Sequence, residues 1–405
     1  MKQLFIKNKN FRFFWIASCI STIGDFVDDI AFAQLVYFVT KSTLLTSYVF
    51  AIKVVFTFLS TLTATYVDRH NKKKILILAS VGQGIVLLFL LALFYHNLLN
   101  AHLLIAFVTV QTLFSTFSGP ANNAILSCIV AKEDMVSARS SLNIFMRFIE
   151  IFSYICAGTL IALIGIGGAI LLDSVTFFIS AIIMTLIESK EESNQKFDSI
   201  QDFFRDVREG FHFVINQKKI YSILIVTFIG NMLTSPVDGL MPAYFAQGEY
   251  KSYTYASFMV GIAVGGIAGT WILTKLQKKL NNEKLLAFGF FLGAVGLGML
   301  YMNNIVGVYF SAIFIGASFG FVSVLNATIL QLATPNAMIA RVFSIFKCIS
   351  FVASPIGIIA AGFLGEYVDM TVVFVLLAIL MLVTAILTLR IVGNSNENAI
   401  SQSVK

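Results

Sequence analysis

The sequence predicts an all-α integral membrane protein with about twelve transmembrane helices in two pseudo-symmetric six-helix bundles. Three observations predict it. The 405 residues are 58% hydrophobic and only 12% charged, about half the charged share of a soluble domain, and the mean hydropathy is +0.87. Apolar stretches long enough to cross ~30 Å of hydrocarbon at ~1.5 Å per residue recur along the whole chain. The basic residues alternate between segments in the manner of a membrane topology signal.

The spans fall near residues 11–39, 43–67, 75–95, 103–130, 138–164 and 168–187, then near 220–246, 253–274, 285–302, 305–333, 342–364 and 370–392. The first follows Lys2, Lys7, Lys9 and Arg12, as a signal peptide would. Its apolar run is too long for an h-region and lacks a clear cleavage site, so it is expected to stay as the first helix. With the N-terminus inside, 23 of the 28 Lys and Arg residues lie in cytoplasmic segments, and only Lys41 and Lys251 lie in external loops. Both termini are therefore expected in the cytoplasm, and the net charge of +7 reads as topology rather than nucleic-acid binding.

The only long polar interruption, 188–219, separates an N-terminal bundle (1–187) from a C-terminal bundle (220–392), which a tail (393–405) follows. Within it Ile200, Phe203, Phe204, Val207, Phe211 and Val214 recur at helical spacing, which predicts an amphipathic linker helix at the cytoplasmic interface. The halves echo each other. Asn123-Ala124 precedes Arg139, and Asn326-Ala327 precedes Arg341, each at the junction of the fourth and fifth spans of its half.

The chemistry concentrates in the first span. At 100° per residue, Ser18, Ser21, Thr22, Asp25, Asp28 and Asp29 share one stripe. A carboxylate at mid-bilayer costs ~2.5–3.5 kcal/mol on insertion scales, so this stripe must face a wet or protein-lined interior. Three carboxylates this close cannot all stay ionised cheaply and are expected to hold protons as a group. Asp25, Asp28 and Asp29 are therefore candidates for proton coupling; the alternative is static hydrogen bonding that fixes helix packing. Lys53, at the matching depth of the next span, is a charge partner. In the fifth span Arg147 and Glu150 form an i,i+3 pair, with Glu150 a further proton-coupling candidate. Lys347 can snorkel to the cytoplasmic surface. Asp173 and Asp238 lie toward external ends and read as structural. Pro236 and Pro242 bracket Asp238, where an irregular helix could form a gate or cavity wall. Gly261, Gly265 and Gly269 form a close-packing stripe.

The loop between the second and third spans reads Ala64-Thr65-Tyr66-Val67-Asp68-Arg69-His70-Asn71-Lys72-Lys73-Lys74. It resembles the major facilitator superfamily signature G-x-x-x-D-R-x-x-R/K-R/K, with Ala64 in place of the Gly. The resemblance implies that Asp68, Arg69, Lys72 and Lys73 latch the cytoplasmic side in the outward-open state. Phe11-Arg12-Phe13-Phe14-Trp15, Ser21 through Asp25, Gly119-Pro120-Ala121, Asp173 through Phe177, Glu209-Gly210-Phe211 and Ala340 through Ser344 look like landmarks of the macrolide-efflux and enterobactin-exporter-like branch. That branch often carries Gly-Pro in helix five, where Ser153-Tyr154 stand here; Ser354-Pro355 and Gly362 are kept in the eleventh. The family arrangement implies alternating access at a cavity lined by helices 1, 4, 7 and 10.

Other classes find no support. The chain has no P-loop, no HExxH among His70, His96, His102 and His212, and no Gly-x-Ser-x-Gly elbow. Cys19, Cys128, Cys156 and Cys348 form no CxxC pair. Gly165-Ile166-Gly167-Gly168 reads as a short external turn. The expectation is a non-enzymatic, monomeric, multi-pass protein of a bacterial cell membrane, without cofactor, metal or nucleic-acid partner. It would export a small molecule by proton antiport, and a Phe-rich acidic cavity would favour hydrophobic or cationic drug-like substrates. Export of a peptide, siderophore or lysolipid is the alternative, as is a receptor or immunity protein that keeps the fold without transporting.

Overall fold

The computed structural model describes residue 5 and residues 8–131, 134–188, 211–247, 252–302, 304–335 and 338–403. Its elements are α1 (Lys9–Thr40), α2 (Thr43–Arg69), α3 (Lys72–Tyr95), α4 (Ala101–Ile129), α5 (Met135–Thr185), α6 (Lys218–Thr234), α7 (Pro236–Gln247), α8 (Ser252–Leu276), α9 (Asn282–Met299), α10 (Ile305–Ala333), α11 (Ile339–Tyr367) and α12 (Met370–Ser403). No strand occurs among the described residues. Among the described residues, ten segments are long and apolar enough to cross a membrane. One of them, Ala138–Thr185, is 48 residues long, enough for two crossings. Adding α1, which is 32 residues long and carries the three aspartates, gives the twelve crossings predicted.

Local chemistry sets the helix ends. The side chains of Asn8, Ser42, Asn71, Asn100 and Asn304 each accept the backbone N–H three residues on, capping α1, α2, α3, α4 and α10. Such a cap is worth about 1 kcal/mol. The predicted external turn at 165–168 narrows to one residue. Gly165 alone leaves helical geometry, at φ 72° and ψ 174°, a region open only to glycine, and α5 resumes at once on its far side. α6 ends at Thr234 and α7 begins at Pro236, so the two form one interrupted crossing. Proline has no N–H to give the carbonyl of Met232, and Gly357 of α11 packs directly against that carbonyl. The glycine stripe of α8 packs as expected: a Cβ on Gly269 would stand 2.7 Å from Ala317 Cα of α10, and Gly261 and Gly265 meet the same helix.

The chain divides into two compact units. The first comprises Met1–Ile200 with Phe245–Ala256, and the second Gln201–Tyr244 with Ser257–Lys405. The division falls inside the predicted linker, and the 245–256 tip groups with the first unit. Most of that linker, residues 189–210 with Ile200, Phe203, Phe204 and Val207, lies outside the described residues. Residues 211–216 are helical, with Phe211 exposed and Val214 buried in a small core with Ile220, Leu224 and Val342. The tail expected from residue 393 continues α12 as helix to Ser403.

In the first unit the core is split into two. One cluster gathers Phe11, Phe14, Leu76, Ile125 and Ile129. The other gathers Phe32, Leu35, Leu87, Leu104 and Val108. Between these clusters one face of each of α1, α3 and α4 carries polar residues: Ser18 to Asp29 at helical spacing on α1, Ser80 and Gln83 on α3, and Gln111 to Asn123 at helical spacing on α4. That band is where the candidate site lies.

Candidate functional site: a polar cavity in the first unit

Between the two cores lies a cavity of about 600 Å³, within the range that holds a small-molecule ligand. α1 supplies its acidic wall with Asp25, Asp28 and Asp29, together with Ser18, Ser21 and Thr22, the stripe read from the sequence. α1 is held against α5 by edge-on aromatic pairs, Trp15–Phe145 at 4.9 Å and Phe26–Tyr154 at 5.0 Å between ring centres. Each pair adds roughly 0.5–1.5 kcal/mol to simple burial.

Lys53 of α2 reaches the same cavity. Its Nζ donates to Asp29 Oδ1 at 3.2 Å, with the two side chains 30% and 52% exposed. The ammonium also lies 5.1 Å from the centre of the Phe32 ring, a cation–π distance. Asp28 is different: it is 8% exposed, and its Oδ1 is buried without a hydrogen-bond partner.

Two features escaped the sequence reading. The first is Asp173, taken as structural, which is 1% exposed and walls the cavity beside the α1 aspartates. Its Oδ1 accepts from Thr176 Oγ1 at 3.2 Å. It reaches α1 because residue 24 is glycine; a Cβ there would overlap both Asp173 Oδ1 and Thr176 Oγ1. The second is a stripe on α4, Gln111, Ser115, Ser118 and Asn122, all walling the cavity. Their spacing of four, three and four is one helix face; that pattern was open to the sequence, hidden only because none of the four is charged. Arg139, noted as a repeat marker, lines the cavity too, as does Asn123 of the repeated Asn-Ala pair.

The remaining expected site residues lie elsewhere. Arg147 Nη1 donates to Glu150 Oε2 at 2.7 Å, with side chains 74% and 20% exposed, and neither residue walls the cavity. The side chains of Asp68 and Arg69 lie outside the described residues. Lys72 is buried, and Lys73 Nζ donates to the carbonyls of Thr185 and Ile187, at 2.7 Å each. Lys73 thus caps the C-terminal end of α5, where a cation is favoured. Asn10 makes a reciprocal pair with the backbone of Glu188 at the same point. In the second unit Pro236 and Pro242 are buried and Asp238 is exposed; none of the three is among the residues that wall the first unit's cavity. The cavity also departs from the Phe-rich wall expected: of its 26 lining residues only Phe14 and Phe177 are aromatic.

Comparison with known proteins agrees with this architecture. The family profile described as transmembrane secretion effector matches residues 5–404. The MFS-type transporter YkuC of Bacillus subtilis is 25% identical over 325 residues, 76% of this chain and 74% of its own. Macrolide efflux protein A of Streptococcus pyogenes is 23% identical over 337 residues, 79% and 80%. The enterobactin exporter EntS of Escherichia coli is 26% identical over 306 residues, 74% and 71%. Among solved structures, a mutant of the nucleoside transporter NupG superposes with a TM-score of 0.79 at 11% identity, covering 95% of this chain and all of that one. A bacterial homologue of the iron transporter ferroportin, in its inward-facing state, does so at 0.71 and 16% identity, covering 96% and 98%.

Proposed function

The chain belongs to the transmembrane secretion effector family of major facilitator superfamily transporters, and from that premise we propose that it exports a cationic small molecule in exchange for protons. The observation that carries this reading is the ion pair between Lys53 and Asp29 at the edge of a cavity that also holds Asp25, Asp28 and Asp173. Four carboxylates and two cations, Lys53 and Arg139, leave the wall two charges negative when all are ionised. Protons and a cationic substrate then compete for the same carboxylates. A proton arriving at the aspartates weakens their hold on the substrate, and substrate arriving from the other side displaces the proton. Lys53 stays near Asp29 in either case and keeps the band from accumulating excess charge.

Asp25, Asp28 and Asp29 carry the exchange, with Lys53 as their charge partner. Alternating access would expose the band first to one side of a bacterial cell membrane and then to the other, both termini facing the cytoplasm. Neither Arg147 nor Glu150 walls the cavity, so the pair's place in this scheme is to hold α5. The names of the relatives support export, and they span substrates as unlike as a macrolide and enterobactin. The polar wall supports the cationic half of the substrate expectation over the hydrophobic half.

The test is transport by the full-length protein in proteoliposomes with an imposed pH gradient. Substrate-dependent proton flux is expected, and Asp25→Asn should abolish it. Flux with unchanged gradient dependence in the triple Asp25→Asn, Asp28→Asn, Asp29→Asn protein would remove these carboxylates from the mechanism.

A further inference from the structure

Two charged side chains of the cavity, of opposite sign, are left without a partner. Asp25 of α1 and Arg139 of α5 both wall it, and both are exposed. Neither takes part in a hydrogen bond or an ion pair among the described residues. Asn123 of α4 walls the cavity too, exposed and equally without a hydrogen bond among the described residues.

The contacts between α1 and α5 give the spacing. The two helices run the same way, with Trp15 against Phe145, Phe26 against Tyr154, and Thr22 Oγ1 donating to Met146 Sδ at 3.4 Å. Arg139 is therefore level with the first turns of α1, roughly ten to sixteen residues before Asp25, or roughly 15–24 Å along the axis. Asn123 lies within two turns of the end of α4 at Ile129, and Arg139 within two turns of the start of α5 at Met135. Guanidinium and carboxamide thus share one end of the cavity, and the α1 aspartates stand toward the other.

A positive and a negative end, held apart and each open to the cavity, fit a solute with the opposite pair of charges. Arginine presents a planar fork that matches a carboxylate, and the Asn123 amide adds a donor. One guanidinium balances a singly charged carboxylate and leaves a phosphate dianion half-neutralised. A basic residue that served topology alone would need only to face the headgroups. The second copy of the Asn-Ala and Arg motif sharpens the contrast. There the pair is spent on packing: Asn326 is 3% exposed, and Arg341 is half-buried and donates to Met338 Sδ at 3.7 Å.

Deepening the transporter reading above, on which this rests, we propose that the exported solute is a linear molecule with an ammonium at one end and a carboxylate at the other. Asp25 holds the ammonium, and Arg139 with Asn123 holds the carboxylate; a short extended peptide is the simplest case. The ammonium end competes with protons, while the carboxylate end sets orientation and length. Four extended residues reach about 14 Å and two about 7 Å. With the side chains closing part of the gap, the longer peptide spans it and the shorter does not.

Binding at fixed pH, without a gradient, tests this apart from proton coupling. The full-length protein in nanodiscs is titrated calorimetrically with tetra-alanine, its C-terminal amide, its N-acetyl derivative and dialanine. Tetra-alanine should bind saturably and about tenfold more tightly than each of the other three. Arg139→Gln should weaken tetra-alanine about tenfold and leave the amide unchanged; a merely structural role for Arg139 would weaken both alike. Arg139→Glu should bind spermine, which carries ammonium groups at both ends, several-fold more tightly than the wild type does, a gain that misfolding cannot produce. Absence of saturable tetra-alanine binding, or equal affinity for tetra-alanine and its amide, would overturn the proposal. So would unchanged tetra-alanine affinity in Arg139→Gln. A protein whose flux ignores the pH gradient, yet which binds these compounds in the expected pattern, would refute the coupling reading and leave this one standing.

Discussion

Replacing Asp29 by Asn and Lys53 by Met, singly and together, asks whether the cavity's ion pair is an energetic unit. At 3.2 Å, opposite unit charges attract by about 1.3 kcal/mol in a water-like medium and about 5 kcal/mol at an effective dielectric of 20. The side chains are 30% and 52% exposed, so solvent screening pulls the value toward the lower limit, about 1–2 kcal/mol. The contact of Lys53 with Phe32 adds about 0.5–1 kcal/mol that does not depend on Asp29. Lys53→Met should therefore cost more than Asp29→Asn, and the coupling between them should be about 1–2 kcal/mol. The assay is a double-mutant cycle on the unfolding of the four full-length proteins in one detergent, repeated at high salt, where the coupling should shrink. A coupling within about 0.3 kcal/mol of zero at low salt would refute the reasoning, because a pair without interaction energy cannot report the protonation of its neighbours.

Gly24→Ala puts a methyl group onto Asp173 and Thr176 and should cost about 1–3 kcal/mol as overpacking, read as a lower unfolding temperature. Gly119→Ala, which meets nothing within 4 Å, should be neutral or slightly stabilising. Gly165→Ala should lose about 1–3 kcal/mol through backbone strain alone, since its Cβ also meets nothing but its φ is 72°. Asp369, in the turn before α12, accepts from the hydroxyl and backbone N–H of Thr371, which holds its carboxyl below the usual carboxylate range. A depressed folded-state pKa stabilises above the unfolded value of about 3.9 and is lost as pH falls through the folded value. The stability difference between wild type and Asp369→Asn should thus be constant near neutrality and vanish in strong acid, as followed by thermal unfolding against pH.

The twelve crossings were legible because hydrocarbon imposes a length and an apolar content that leave few alternatives. The α1 stripe was legible because charge at mid-span is too costly to be incidental, and one helix period puts Ser18 and Asp29 on the same face. The depth argument also put Lys53 near the aspartates, and its partner is Asp29. The same reasoning passed over Asp173 because its apparent nearness to an external end carried more weight than its charge. What brings it in is the bare Cα of Gly24, some 150 positions earlier, a pairing that no local pattern contains. The α4 stripe was missed for a different reason: glutamine, serine and asparagine are tolerated in many helices, so their alignment matters only once the facing wall is known.

The amino-acid order by itself determined how many times the chain crosses the membrane, where its helices begin and which face of α1 is acidic, because these follow from solvent, capping and helical period acting within one segment. Only the tertiary structure decided that Asp173 joins that face, that Lys73 is spent on the end of α5, and that the α4 stripe walls the cavity. Each of these depends on atoms from distant segments meeting within a few ångströms, and such meetings are set by packing between helices, to which sequence periodicity is blind.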